Sequence, residues 1–193
     1  VSGYAKTDNT HNGHNLFQHM TDRKLFGNSN LINSFLKGLS KIKELDSGWS
    51  TLYLDSKTGQ QWLKYQINSE YHGGGDENLI CYPEPLTSEL IEIALTSKHE
   101  DEVIASSLRL RDNEEFKDIN FRQELIEKIE NINLKDLPFE EKKRIKNIIE
   151  FSELSNDNNR REILNKTVSE INKDSEFFKN IARRADVLLQ QID

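Results

Sequence analysis

The chain has 193 residues, 33 of them acidic and 26 basic, with a formal net charge of −7 at pH 7 and one cysteine. This balance disfavours a nucleic-acid partner, since such proteins usually carry a basic surface, and no apolar run is long enough to span a membrane. A lone cysteine is typical of a reducing compartment. The length of the chain suits one domain, or one domain with a large extension.

Residues 1–28 are rich in asparagine, glycine and histidine, and we expect them to be irregular. His11, His14 and His19 lie in this segment, yet structural zinc sites usually combine two tight pairs of cysteine or histidine ligands. We therefore expect no metal site there, and the sequence indicates no other cofactor.

Residues 29–84 are predicted to form a helix and a small β-sheet with a glycine loop. Apolar residues recur at helical spacing from Leu31 to Leu45, which predicts one helix over that stretch. The alternating runs WSTLYLD and QQWLKYQI flank the turn SKTG and predict a β-hairpin, and residues 79–82 predict a further strand. We expect Trp49 and Trp62 mainly to fill the core of this sheet, although aromatic side chains also anchor interfaces.

Residues 85–193 carry helical patterns without glycine and predict an α-helical bundle or a short helical-repeat region. Asp112 followed by Glu115 resembles a capping box and predicts a helix start there, and Asp174 or Ser175 is expected to cap the last helix. The predicted fold class is α+β and predominantly helical, with a small antiparallel sheet packed with a helix and followed by an antiparallel α-helical array.

The stretch SEYHGGGDENL contains three consecutive glycines out of nine in the chain. A His-Gly-Gly-Gly run occurs in the oxyanion-hole loop of lipases and esterases, but the G-x-S-x-G nucleophile motif that must accompany it is absent. The phosphate-binding motif G-x-x-x-x-G-K-[ST] is also absent, and Asp76 and Glu77 after the glycines would repel phosphate. A binding surface is therefore favoured over catalysis or phosphate binding.

Aromatic and charged residues around the hairpin and the glycine loop are the candidate partner-binding residues. They are Trp49, Tyr53, Asp55, Glu70, Tyr71, His72, Asp76 and Glu77. Glu70 and His72 would share a face of a strand, from which they either form part of the surface or hydrogen-bond the loop. The residues expected to shape the backbone of the turn and the loop are Gly59, Gly73, Gly74 and Gly75.

Residues 46–79 combine a strand with a tryptophan, an Asp then Thr-Gly hairpin, a second tryptophan, and a Glu-x-His-Gly-Gly-Gly loop followed by a leucine. The positions are Trp49, Asp55, Thr58, Gly59, Trp62, Glu70, His72, Gly73, Gly74, Gly75 and Leu79. In this combination the stretch resembles a family of immunity proteins from bacterial polymorphic-toxin systems. The chain departs from the family at KYQINSE, where a Tyr-Pro type of step is expected.

The resemblance implies a cytoplasmic protein of interbacterial competition that binds a cognate toxin domain and neutralises it by stoichiometric inhibition, without catalysis of its own. The net acidity would suit a basic toxin. An alternative is a helical-repeat adaptor or scaffold that binds its partner through residues 86–192, and an enzyme using His72 and a carboxylate is a third possibility. The sequence specifies neither the activity of the toxin nor the oligomeric state.

Overall fold

The computed structural model describes residues 22–68 and 75–192, and these form a five-stranded antiparallel sheet and six α-helices. The strands lie in the order β1-β5-β4-β3-β2. Their bounds are β1 (Leu25–Phe26), β2 (Ser40–Leu45), β3 (Ser50–Leu54), β4 (Gln61–Ile67) and β5 (Asp76–Tyr82). The helices are α1 (Ser29–Leu36), α2 (Thr87–Thr96), α3 (Glu100–Lys117), α4 (Arg122–Glu130), α5 (Phe139–Phe151) and α6 (Val168–Ile192). The predicted fold class, α+β with predominantly helical content, is confirmed.

Helix α1 covers part of one face of the sheet and forms a small aromatic core with it. The Trp62 indole lies edge-on to the Phe35 ring, with 4.9 Å between the centroids, and Phe26 stacks on Phe35 at 5.0 Å. Leu79 and Cys81 complete the buried side chains of this face. Such aromatic pairs contribute about 0.5–1.5 kcal/mol beyond the area that they bury, so α1 is firmly attached to the sheet.

The opposite face of the sheet packs on the long helices in one continuous core. Alternate residues of a strand point to opposite faces, and here Leu63, Tyr65 and Ile80 join a buried cluster that extends to Leu90 and Ile192. The sheet and the helical part therefore stabilise each other. The proposed division of the chain near residue 84 remains a prediction about sequence organisation.

The first turn of α3 closes the edge of the sheet at β1. The Glu102 carboxylate accepts hydrogen bonds from the backbone N–H groups of Lys24 and Leu25, at 2.7 and 3.1 Å. The Asp101 carboxylate accepts one from the Gly27 N–H at 3.2 Å. The expectation of irregular structure up to residue 28 is thus wrong for Leu25–Phe26, because this short strand pairs with β5. Residues 1–21 lie outside the described part.

The predicted helix over residues 31–45 is shorter than its apolar periodicity suggests. The Asn28 side chain caps α1, and the chain turns at Gly38, whose N–H donates to the Phe35 carbonyl oxygen at 3.1 Å. Residues 40–45 then pair with β3 as an edge strand. Lys41 and Lys43 place positive charges along this outer edge. Charged side chains commonly protect the exposed edge of a sheet from pairing with another chain.

Two predicted helix starts in the second half are also wrong. Asp112 lies inside α3, which continues to Lys117, and it forms an ion pair with Arg111 rather than a cap. Asp174 lies inside α6, where it accepts hydrogen bonds from Arg161 at 2.6 Å and Lys166 at 2.8 Å. In both cases the aspartate carboxylate pairs with an arginine. A sequence pattern cannot distinguish an aspartate in such an ion pair from one that caps a helix.

A buried ion pair links α3 to α4. Arg122 is fully buried, and its Nε lies 3.0 and 2.7 Å from the two carboxylate oxygens of Glu114. Its Nη1 donates to the Glu153 carbonyl oxygen at 2.7 Å, and its guanidinium lies 4.8 Å from the centroid of the Phe178 ring. Burial raises the pKa of Glu114 and lowers that of Arg122, while each charge opposes the shift of the other.

Candidate partner-binding site

The candidate residues predicted from the sequence divide between two opposite ends of the sheet. At one end β4 enters the glycine loop and β5 leaves it, and the start of β3 lies alongside because Ser50 pairs with Tyr65 and Tyr65 with Asn78. We call this the loop end, comprising residues 46–50, 65–68 and 75–78. The turn end lies opposite and comprises the β3–β4 turn, residues 53–62, with residues 80–82 of β5.

Trp49 is exposed at the loop end. It keeps 53% of its surface accessible, whereas Trp62 keeps 5%, so the expectation of a core position is confirmed for Trp62 and wrong for Trp49. Trp49 follows the 3-10 turn Asp46–Gly48, and its N–H donates to the Asp46 carbonyl oxygen at 3.1 Å. The Asp46 carboxylate accepts a hydrogen bond from Ser50 Oγ. The backbone on both sides of this indole is therefore fixed.

The described residues hold the glycine loop at its entrance and its exit. Gly75 has a φ of 71°, and a Cβ there would lie 2.1 Å from the Ile67 carbonyl oxygen, so any other residue would clash. Asn68 has a φ of 54° and accepts a hydrogen bond from Arg111 Nη2 at 2.9 Å. Outside the described residues lie Glu70, Tyr71, His72, Gly73 and Gly74, whose roles stay predictions.

Arg111 connects the helical part to the loop end, a role that the sequence pattern did not predict. It lies in α3, 43 positions from Asn68, and it also pairs with Asp112 at 2.8 Å and Glu153 at 3.5 Å. Burial alone would lower the pKa of Arg111, but the hydrogen bond and charge of Asp112 raise it. Contacts so distant in sequence leave no local signal that could have identified this residue.

Asp76 and Glu77, two of the predicted partner-binding residues, begin β5 at the loop end. Asp76 is exposed, and Glu77 forms an ion pair with Lys64 at 2.6 Å. On the edge strand β2, Glu44 pairs with Lys41 at 2.5 Å, and this hydrogen bond lowers the pKa of Glu44. Partly exposed ion pairs contribute little to stability, so a partner can replace them with its own charges at low cost.

The remaining candidates, Tyr53, Asp55 and Gly59, lie at the turn end. The Asp55 carboxylate accepts hydrogen bonds from the Lys57 N–H at 2.9 Å and Thr58 Oγ1 at 2.8 Å. Gly59 has a φ of 76°, which glycine favours, and Tyr53 packs against the aromatic core under α1. These contacts give Asp55 and Tyr53 a role within the fold, while a role in partner binding stays a prediction for both.

Neither a metal site nor a membrane span is found in the part of the chain that the structure describes. Across residues 22–68 and 75–192, no group of three or more histidine, cysteine, aspartate or glutamate side chains is arranged to hold a metal ion. None of the helices in these ranges has the length and apolar character needed to cross a membrane. His11, His14, His19 and His72 lie outside these ranges.

A sheet that presents an exposed tryptophan on a fixed turn is the kind of surface that protein-binding domains use. Residues 27–82 match the model of a protein family described as Immunity protein 27. The match covers less than a third of the chain and comprises α1 and strands β2–β5, including both ends of the sheet. The resemblance to an immunity protein family is thereby confirmed. No curated protein and no solved structure matches the chain.

Proposed function

We propose that the chain is an immunity protein that binds a cognate toxin domain and neutralises it by stoichiometric inhibition. The observation that carries this proposal is the match of residues 27–82 to an immunity protein family. Within the matched segment, Trp49 has the largest exposed fraction of the large apolar side chains that the structure describes. An exposed tryptophan on a fixed backbone is well suited to anchor a protein partner.

In this proposal the loop end is the toxin-binding surface. Trp49 inserts into the toxin, and the carboxylates of Asp76 and Glu77 at the start of β5 form an acidic rim at the same end of the sheet. Glu70 is a further predicted toxin contact. An acidic rim complements a basic toxin surface and accelerates encounter. Bound over the active site or another essential surface, the loop end blocks the toxin without any reaction of its own, so no catalytic residue is required.

The helical part supports this surface from behind. Arg111 of α3 donates to Asn68 at the entrance of the glycine loop, and the core that holds α3 is continuous with the inner face of the sheet. A loop held in its binding conformation loses less conformational entropy on association than a loose one. The helices thus contribute to toxin affinity even where they do not touch the toxin.

Co-expression with the toxin tests the proposal. The toxin domain for this test is to be sought in the neighbouring genes, as the variable C-terminal domain of a large secreted protein. Cells that produce this domain should survive when the chain is co-produced, and the two proteins should elute together in size-exclusion chromatography. Survival should be lost with Trp49→Ala and kept with Phe139→Ala, a change at a more exposed aromatic side chain outside the matched segment. Cell death despite co-production, with no complex formed, would refute the proposal.

The second candidate is an adaptor that binds a partner through the helical part. Exposed apolar side chains before and at the start of α6 favour it, since Ile163, Leu164 and Val168 are 56%, 71% and 75% exposed. Removing the first 80 residues would not test it, because the helices share their core with the sheet. Changing all three residues to serine is the appropriate variant. An immunity protein keeps toxin binding with these changes, whereas an adaptor that uses this surface loses its partner.

A further inference from the structure

The turn that joins β2 to β3 places three consecutive residues in the left-handed region of the backbone. The φ angles are 50° at Asp46, 56° at Ser47 and 97° at Gly48, and only Gly48 lacks a side chain that opposes such an angle. Left-handed backbone is unfavourable for other residues, although aspartate tolerates it better than most. Strain of this kind persists only where the surroundings hold it, and it is frequent at binding sites.

Chain reversal requires only two of these three left-handed residues. The Trp49 N–H donates to the Asp46 carbonyl oxygen at 3.1 Å, and Ser47 and Gly48 are the central residues of the turn that this hydrogen bond closes. Positive φ at both central residues is the type I′ arrangement that commonly connects two antiparallel strands. The left-handed conformation of Asp46, which precedes the central pair, is therefore an addition to the turn.

A side-chain hydrogen bond accompanies this additional left-handed residue. Ser50 Oγ donates to the Asp46 carboxylate, so the bond spans the turn and ends on the first residue of β3. Ser50 is 6% exposed and is held in the sheet, because it pairs with Leu45 on one side and with Tyr65 on the other. The bond thus ties an exposed turn to a paired strand, and Trp49 lies between its two ends.

We propose that Asp46 and Ser50 are positioning residues for Trp49, and that their hydrogen bond holds the left-handed turn in the conformation that presents the indole to the toxin. This inference rests on the proposed function. Ser50 is too deeply buried to touch the toxin, so it acts through the turn. The backbone around Trp49 is then ordered before the toxin arrives, and association does not have to order it.

Backbone dynamics of the free chain test the first half of the proposal. In ¹⁵N-labelled protein the amide order parameters of Gly48 and Trp49 should lie near 0.85, roughly the value of rigid backbone, and fall below about 0.6 in Ser50→Ala. Ser107→Ala is the matched control, because the Ser107 hydroxyl is also buried and donates one hydrogen bond, to the Val103 carbonyl oxygen at 2.8 Å. Equal order at Trp49 in Ser50→Ala and in the unchanged chain would overturn the proposal.

Replacement of Asp46 shows whether the hydrogen bond or the charge is responsible. Asp46→Asn keeps a side-chain oxygen that accepts from Ser50 and tolerates the left-handed region, so the order at Trp49 should be retained. Asp46→Ala removes the acceptor and should loosen the turn as Ser50→Ala does. Because Asp46 is exposed, both variants should fold even if loss of the buried Ser50 hydroxyl prevents folding. Loss of order in Asp46→Asn, or its retention in Asp46→Ala, would contradict the assignment.

A double-mutant cycle with the purified toxin domain tests the second half. Ordering a loose turn on binding costs affinity, and we expect Ser50→Ala to raise the Kd about 3- to 10-fold. In the Trp49→Ala background the same change should leave the Kd unaltered, because no indole remains to be positioned. An equal effect in both backgrounds, or none in either, would overturn the positioning role. Normal toxin binding by Trp49→Ala alone would instead refute the proposed toxin-binding surface, so the two failures are distinguishable.

Discussion

Replacement of Trp49 by alanine should weaken toxin binding strongly and leave the fold almost unchanged. Trp49 keeps 53% of its surface exposed in the free chain, which for an indole side chain is roughly 130 Å². Burial of this area against the toxin is worth about 3 kcal/mol at about 25 cal/mol per Å². Since every 1.4 kcal/mol corresponds to about tenfold in Kd, we expect Trp49→Ala to raise the Kd by up to about 100-fold.

Titration calorimetry with the purified toxin domain measures this change, and urea unfolding measures the stability of the free variant. An exposed side chain contributes within about 0.5 kcal/mol to stability, so the unfolding midpoint of Trp49→Ala should stay near that of the unchanged chain. Phe139→Ala is the control, because Phe139 is 76% exposed on α5 and lies outside the matched segment. A Trp49→Ala variant that binds the toxin normally would refute the assignment of the loop end, and a loss of binding in Phe139→Ala would point to the helical part instead.

Three further predictions test the contacts behind the surface. Arg111→Ala removes the hydrogen bond to Asn68, so amide exchange around the glycine loop should become faster and toxin affinity should fall several-fold; unchanged exchange would contradict the positioning role. Arg122→Ala leaves Glu114 buried without its cation and should lower the free energy of unfolding by about 3–5 kcal/mol, while Arg122→Met combined with Glu114→Leu should recover most of it in urea unfolding. Burial raises the pKa of Tyr65 from 10.0 to about 12, against the opposing charge of Arg109. The neutral phenol is therefore favoured in the fold, and stability present below pH 10 should be lost as the pH rises towards 12, by up to about 3 kcal/mol. Tyr65→Phe should flatten this loss between pH 9 and 11.5, and an unaltered pH dependence would count against the buried phenol as its cause.

The hairpin and the later strand could be predicted from the sequence because their signals are local. Alternating apolar residues define β3 and β4, and the turn between them is set by Asp55 and Gly59 within a few positions. The same reasoning failed at residues 39–45, where a helical apolar spacing continues into a strand. Residues 40–45 form backbone hydrogen bonds with β3 as strand β2. The apolar periodicity of one segment does not show with which other segment it will pair.

The position of α1 decides which tryptophan is exposed, and this position could not be predicted from the sequence. Phe26 and Phe35 pack on Trp62, whereas Trp49 lies in the turn before β3, where it stays exposed. Both tryptophans lie in runs that are predicted to form strands, so the sequence pattern does not distinguish the exposed indole from the buried one. The support of the glycine loop by Arg111 likewise arises only after folding, because it joins residues 43 positions apart.

The central claim, inhibition by stoichiometric binding, is tested most directly by titrating the activity of the purified toxin domain with the purified chain. The toxin activity should fall linearly and reach its minimum at one equivalent of the chain, and the same endpoint should be reached at every incubation time. Full toxin activity with excess chain would contradict the account. So would a loss of activity that continues with time at a small fraction of one equivalent, because only an enzyme that modifies the toxin would produce it.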